Sequence, residues 1–339
     1  MASARPIVIE ETTTLPNPDP VAYPKFGREV ATNGEYALVL GAHDDLVDPD
    51  GEPKIQRDAL LYRRVSGRWQ FQKVLRTAGE YFYDGYYYPN HFAMKGDLAV
   101  IELIGGTQTY RLGAAGWQPA GDLRLTTEDI EIDGGRIVLS AGDCSWSAIA
   151  YEPDGAGDLA RAGMSGQSSG SCDDENWGGP VDIMGDRVMI GNGGANDLED
   201  QEVRIYQRST PSTWNLAGTI VSPEGHRGIS GEVALRGDDA IVNALLGAYV
   251  YRYPNLQQAV SRLQPADIYL QSRLSIPRET TIEKSGDLVF VRELSYDRGS
   301  AVINVFSAIA SAPGTYEHVA VLAPRGGGPL IKSFDVSGN

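Results

Sequence analysis

The sequence is short of cysteine, histidine and positive charge: two Cys, four His, and 29 Lys plus Arg against 45 Asp plus Glu. Two thiols are too few for a disulfide framework or a thiolate metal cage. Cys144 falls at the end of a strand and Cys172 in a loop beyond it, so one disulfide or two free thiols both remain open. A formal charge of −16 excludes the clustered Lys and Arg that sequence-independent nucleic-acid binding needs, and disfavours an anionic membrane surface. It favours cations or basic partners. No apolar run approaches the ~18 residues of a membrane helix, so no membrane insertion is expected. Met1-Ala2-Ser3-Ala4-Arg5-Pro6 leads into no apolar signal core. Between a cytosolic protein and the mature form of an exported one, the expectation is the second, secreted or at the cell surface. There is no His-Glu-x-x-His, no phosphate loop and no Cys-x-x-Cys.

What is present is a repeated turn. An x-Gly-Asp triplet or close variant occurs as Asn33-Gly34-Glu35, Lys95-Gly96-Asp97, Asp133-Gly134-Gly135, Met184-Gly185-Asp186, Arg236-Gly237-Asp238, Ser285-Gly286-Asp287 and Ser337-Gly338-Asn339. A short alternating run precedes each, and an apolar run such as YALVLGA, LAVIEL or LVFVREL follows nearly every one. Glycine supplies the positive φ of a tight hairpin, and the flanking runs read as antiparallel strands. The glycines lie 62, 38, 51, 52, 49 and 52 residues apart, a spacing that signals four-stranded blades. Forty glycines, nineteen prolines and 42% apolar residues suit many turns around one packed body. The fold class read from this is all-β: a single seven-bladed β-propeller over residues 1–339.

The predicted blades span about 25–76, 90–125, 126–164, 177–221, 230–264 and 279–323. The seventh is incomplete. Residues 330–339 supply its inner strand and 6–15 its outer strand, so the two termini share the last blade and protect its edges. Further domains of a longer chain would complete it. A six-bladed ring with extra terminal strands is the alternative.

Blade one carries Phe26-Gly27 before its first strand, Gly41-Ala42 at the end of its second, an aromatic third strand at 59–64 and Trp69 in its fourth. On these residues it resembles the FG-GAP repeats of integrin-alpha-like propellers, in the variant whose repeats end in a Trp strand. The fourth-strand pattern, an aromatic followed six residues later by an aliphatic, recurs as Trp69 to Leu75, Trp117 to Leu123, Trp214 to Ile220 and Tyr316 to Leu322. The family's calcium version places an Asp-rich loop between the first two strands. Here that place holds a bare turn, so calcium does not carry over from the resemblance.

In a propeller the connections divide between two rims, and functional loops ride on a rigid frame. The x-Gly-Asp rim is uniformly short. The other rim takes the long segments, including 44–58, 76–90, 165–179 and 193–202. Tyr81, Tyr83, Tyr86, Tyr87 and Tyr88 crowd one of them, and tyrosine's flat ring and hydroxyl suit contact with sugar or protein. Alternate rings must also point opposite ways in an extended chain, so some serve packing. Trp177 follows Asp173 and Asp174 and is either a stacking ring or a plug at the start of blade four. Asp44, Asp48 and Asp50, the last before Gly51, partly match a calcium loop but lack its later bidentate acid; the cofactor is calcium or none. His91, His226, Arg227 and Arg298 supply a base and a carboxylate-neutralising cation for chemistry on a uronic acid. The reading that follows is a non-catalytic module for carbohydrate or protein. A polysaccharide lyase or hydrolase and a structural segment of a larger adhesin are the alternatives.

Overall fold

The computed structural model describes residues 7–10, 15–47, 53–82, 91–103, 106–123, 127–141, 147–153, 159–163, 179–191, 202–211, 213–221, 229–244, 247–263, 282–295 and 300–323. They form 25 strands and no helix. After β1 (Ile7–Glu10) come six four-stranded antiparallel meanders. The first holds β2 (Val30–Thr32), β3 (Tyr36–Val47), β4 (Pro53–Val65) and β5 (Arg68–Phe82). The second holds β6 (Phe92–Lys95), β7 (Leu98–Leu103), β8 (Gly106–Gly113) and β9 (Gly116–Asp122). The third holds β10 (Thr127–Asp133), β11 (Arg136–Ala141), β12 (Ser147–Pro153) and β13 (Leu159–Gly163). In the fourth are β14 (Val181–Met184), β15 (Arg187–Ile190), β16 (Glu202–Thr210) and β17 (Thr213–Val221). In the fifth are β18 (Ile229–Arg236), β19 (Asp239–Ala244), β20 (Gly247–Arg252) and β21 (Ser261–Leu263). The sixth has β22 (Ile282–Ser285), β23 (Leu288–Ser295), β24 (Ser300–Ala308) and β25 (Tyr316–Ala323).

The stacking explains the apolar runs. Every residue of β7 is buried, which a sheet packed on both faces requires. Its Ala99 and Ile101 join a core with sheet one, and its Leu98 and Val100 join a core with sheet three. Further cores bind sheet three to four, four to five and five to six. The first strands β2, β6, β10, β14, β18 and β22 each neighbour the next. This is a β-propeller with those strands innermost.

The turn glycines 34, 96, 134, 185, 237 and 286 all have φ between +56° and +88°. Each joins the first two strands of a sheet. The turns are also linked from blade to blade. Asn33 Nδ2 donates to the Gly96 carbonyl at 2.7 Å, and Lys95 pairs with Asp133 at 2.8 Å. Arg136 reaches the Gly185 carbonyl and Asp186; Arg187 reaches Gly237 and Asp238; Arg236 reaches Gly286 and Asp287. The short rim is therefore a chain of polar clasps.

A second regularity lies in the fourth strands. Four of the six, β5, β9, β17 and β25, carry a bulge three residues after their aromatic. Gln72, Ala120, Ala217 and Val319 are skipped in the pairing with the third strand. The extra residue turns the strand over. Trp117 thus packs toward sheet one and Leu123 toward sheet three, while Trp214 packs toward sheet three and Ile220 toward sheet five.

Two expectations change. Segments 44–58 and 76–90 are not simply loops: β3 runs to Val47, β4 starts at Pro53 and β5 reaches Phe82. A long β3–β4–β5 meander extends sheet one, with a register shift between His43 and Leu46. The N-terminal strand, expected to share the last blade with residues 330–339, is paired with sheet six. β1 runs parallel to β25, from Ile7 beside Ala320 to Glu10 beside Ala323, and covers the outer edge of sheet six. Residues 330–339, its expected partner, lie outside the described residues.

Sheet one's other face is covered by the chain before β2. Tyr23 and Phe26 pack there against Leu60 and Tyr62, and the Tyr23 hydroxyl donates to Asp58 at 2.7 Å. Gly27, at φ +84°, donates its N–H to the Leu40 carbonyl. A Cβ on Gly41 would lie 2.7 Å from the Tyr23 ring and 2.9 Å from a Leu60 methyl. These contacts give physical reasons for Phe26-Gly27 and Gly41 in the motif. Gly41→Ala is expected to lower stability by about 1–3 kcal/mol through overpacking, read as a lower urea midpoint at unchanged m-value.

Candidate functional site

The first strands carry charge among apolar neighbours. Asp182 of β14 lies between Val181 and Ile183, and all three are at most 3% exposed. Its Oδ2 accepts the Leu235 N–H of β18 and the ammonium of Lys284 on β22. Asp129 of β10 accepts the Val181 N–H at 2.8 Å with Oδ2 and the Ile130 N–H at 2.9 Å with Oδ1. Both carboxylates so tie one inner strand to the next. Glu232 of β18 stands five residues before its turn glycine, as Asp129 and His91 do before theirs.

Asp182 is enclosed and Asp129 and Glu232 are half-buried, and that shifts their protonation. Burial pushes Asp129 up to about 6, against the pull of its two backbone donors, and Asp182's charge adds to the rise. Burial also raises Asp182, with Lys284 opposing. Glu232 goes up to about 8, from burial first and then Asp129, while Arg292 of β23 draws it down. Asp133 moves the other way: Lys95 and the Gly185 N–H outweigh its burial. The inner edge can thus hold a proton near neutrality. Among the described residues no three His, Cys, Asp or Glu side chains converge to hold a metal.

The sequence candidates fall elsewhere. Tyr81 lies in β5 with its backbone opposite Ile55, and Asp44 lies in the shifted stretch of β3. His91 precedes β6; its carbonyl accepts the Glu102 N–H at 2.8 Å, and burial lowers its imidazole to about 4. By the antiparallel order, these three stand at strand ends on the rim opposite the x-Gly-Asp turns. Tyr83, Tyr86, Tyr87, Tyr88, Asp173, Asp174, Trp177, His226, Arg227, Arg298, Asp48 and Asp50 lie outside the described residues, as do both cysteines. So does Gly166-Gln167-Ser168-Ser169-Gly170, a Gly-x-Ser-x-Gly match whose chemistry needs a strand-to-helix turn. Asp129, Asp182, Glu232 and Lys284 went unremarked in the sequence. Their signal was charge inside short apolar strands.

No protein-family model matches the sequence, and no curated protein does. Among solved structures the chain is similar to Hsv2p of Kluyveromyces lactis, at 10% identity and a TM-score of 0.46, over 88% of this chain and 95% of that one. It is similar to Hsv2 of a second species, K. marxianus, at 10% identity and 0.43, over 88% and 96%. A K. lactis Hsv2 with loop 6CD replaced by a Gly-Ser linker gives 11% and 0.44, over 86% and 95%. The FG-GAP resemblance rests on the residues quoted for it.

Proposed function

We propose that the protein is a non-catalytic binding module, exported or displayed at a cell surface, that recognises a carbohydrate or protein ligand through one rim of its propeller. The observation that supports this is the inequality of the rims. One is closed at the first hairpin of every sheet by short glycine turns clasped blade to blade, although it is not uniformly short as expected, since 253–260 and 309–315 join third to fourth strands there. At the other, the chain crosses between strand ends through 83–90, 164–178 and 264–281, and Tyr81, Asp44 and His91 stand at its edge. Variation concentrated on one end of a rigid frame suits recognition.

Binding and turnover separate the readings. On a glycan array the intact protein is expected to show saturable binding. A Tyr86→Ala, Tyr87→Ala, Tyr88→Ala variant should weaken it about tenfold or more without moving the melting temperature. Uronic-acid polymers incubated with the protein should develop no ultraviolet-absorbing unsaturated ends. Such ends would replace the module with a lyase using His91 or His226 as base and Arg227 or Arg298 beside the carboxylate. Against that, general bases work best near the operating pH, and His91 is held far below it. Silence in both assays, extended to protein ligands, would leave a structural segment of a larger adhesin. Calcium at Asp44, Asp48 and Asp50 belongs to the same proposal and is checked by titration calorimetry.

A further inference from the structure

The clasps of the x-Gly-Asp rim share one plan: the residue just before a turn glycine reaches the next turn. Asn33 donates to the Gly96 carbonyl, and Lys95 pairs with Asp133. Asp133 Oδ2 accepts the Gly185 N–H at 2.7 Å, and Arg236 donates to the Gly286 carbonyl. Blade four differs in its chemistry. Its residue is Met184, whose Sδ accepts the Gly237 N–H at 2.9 Å. A thioether is a weak acceptor, and it stands where blade three uses a carboxylate oxygen. Met184 ends β14 and is 39% exposed. Met94 and Met189 are instead buried, in the core of sheets one and two and in that of sheets four and five. Met1 and Met164 lie outside the described residues.

We propose that Met184 is an oxidation site, at which a peroxide converts the thioether to a sulfoxide and so replaces the sulfur acceptor of the blade-four clasp with an oxygen. The sulfur lone pair attacks one oxygen of hydrogen peroxide, and the O–O bond breaks as the S–O bond forms. The displaced hydroxide takes the proton from the new S–OH group and leaves as water. Sulfur loses two electrons and the peroxide gains them. The unbranched methionine side chain lets the sulfur retract to make room for the oxygen. Gly237 then meets a strong acceptor, as Gly185 already does at Asp133. The added dipole stays at the surface, so no polar group is buried by it. Sulfoxide reductases reverse the change, which makes the join between blades four and five adjustable by oxidation. The site lies on the rim opposite the proposed binding surface and does not depend on any ligand there.

The test treats the full chain with dilute hydrogen peroxide under native conditions, as the parent, Met184→Leu and Met184→Gln. Peptide mass mapping should find Met184 oxidised about tenfold or more faster than Met94 and Met189, because access to the sulfur governs the rate. Exchange of the Gly237 amide with water, read by nuclear magnetic resonance, should slow about threefold in the oxidised parent, the scale of one better hydrogen bond. Met184→Gln presents a carbonyl oxygen and should match the oxidised parent before any peroxide is added. Met184→Leu presents no acceptor. Its Gly237 amide should exchange fastest and should not respond to peroxide, even where Met1 or Met164 is oxidised. Equal oxidation of Met184, Met94 and Met189 would overturn the proposal. So would a Gly237 amide that exchanges as fast as before, or faster, once Met184 carries its oxygen.

Discussion

Inserting an alanine beside Ala217 should abolish cooperative folding, although Ala217 is exposed and touches no core, whereas deleting Ala217 should leave the fold intact. Its role is to be one residue too many. The pairing of β16 with β17 steps from Tyr206–Leu216 to Ile205–Gly218, leaving Ala217 unpaired. Deletion leaves Trp214 and Ile220 five positions apart and still on opposite faces, whereas one inserted residue beside the single bulge puts both on the same face, because side chains alternate with period two. One of them must then leave its core: Trp214 from among Val138, Ala148 and Ala150, or Ile220 from among Val203, Val233 and Leu235. Losing a buried Trp or Ile costs about 2–5 kcal/mol before any strain, out of a total of about 5–15 kcal/mol for a whole domain. Ala217→Ser keeps the residue count and should stay within about 0.5 kcal/mol of the parent. Urea unfolding followed by tryptophan fluorescence reads both. An insertion variant with the parent's midpoint would show that the residue count at the bulge does not set the facing of the strand.

The same residues show what a sequence can and cannot disclose. The six described turn glycines were legible because the demand is local: a positive φ between two strands admits little else. The aromatic-to-aliphatic spacing of the fourth strands was visible too. Its meaning was not, since six is an even number and a plain strand would put both side chains on one face. Only the pairing with the third strand reveals the bulge. The β3–β4–β5 extension was missed for a related reason. Acidic and glycine-rich stretches such as DDLV and TAGEYF resemble loops until their partners are known. The candidate rim divides in the same way. Its aromatic and acidic content is written in the sequence, whereas the acids of β10, β14 and β18 looked like ordinary solvent-facing positions. What engages Asp129 and Asp182 is the neighbouring blade, some fifty residues away.

Removing Lys284 and removing Asp182 should hurt in different ways, and the difference identifies the ion pair as the keystone of the inner edge. Asp182→Ala strips the Leu235 N–H of its acceptor and leaves the Lys284 ammonium without its ion-pair partner. Breaking one side of a buried pair costs about 3–5 kcal/mol, and here a backbone donor is orphaned as well. That loss should be present at every pH at which the protein folds. Lys284→Met leaves the carboxyl, which can escape by taking a proton. Asp182 is already raised by burial, with Lys284 as the main restraint; without the lysine it rises further. A folded carboxyl raised above its unfolded value loses stabilisation as pH climbs through the raised value. Lys284→Met should accordingly be mild near pH 5, where protonated Asp182 still accepts from Leu235, and should worsen steadily toward pH 8.5. The double variant Asp182→Asn, Lys284→Met carries no charge to strand, so its cost should be less than the sum of the singles and nearly independent of pH. Chemical denaturation at three pH values completes the cycle. Additive losses with identical pH slopes would mean that Lys284 and Asp182 touch without supporting one another.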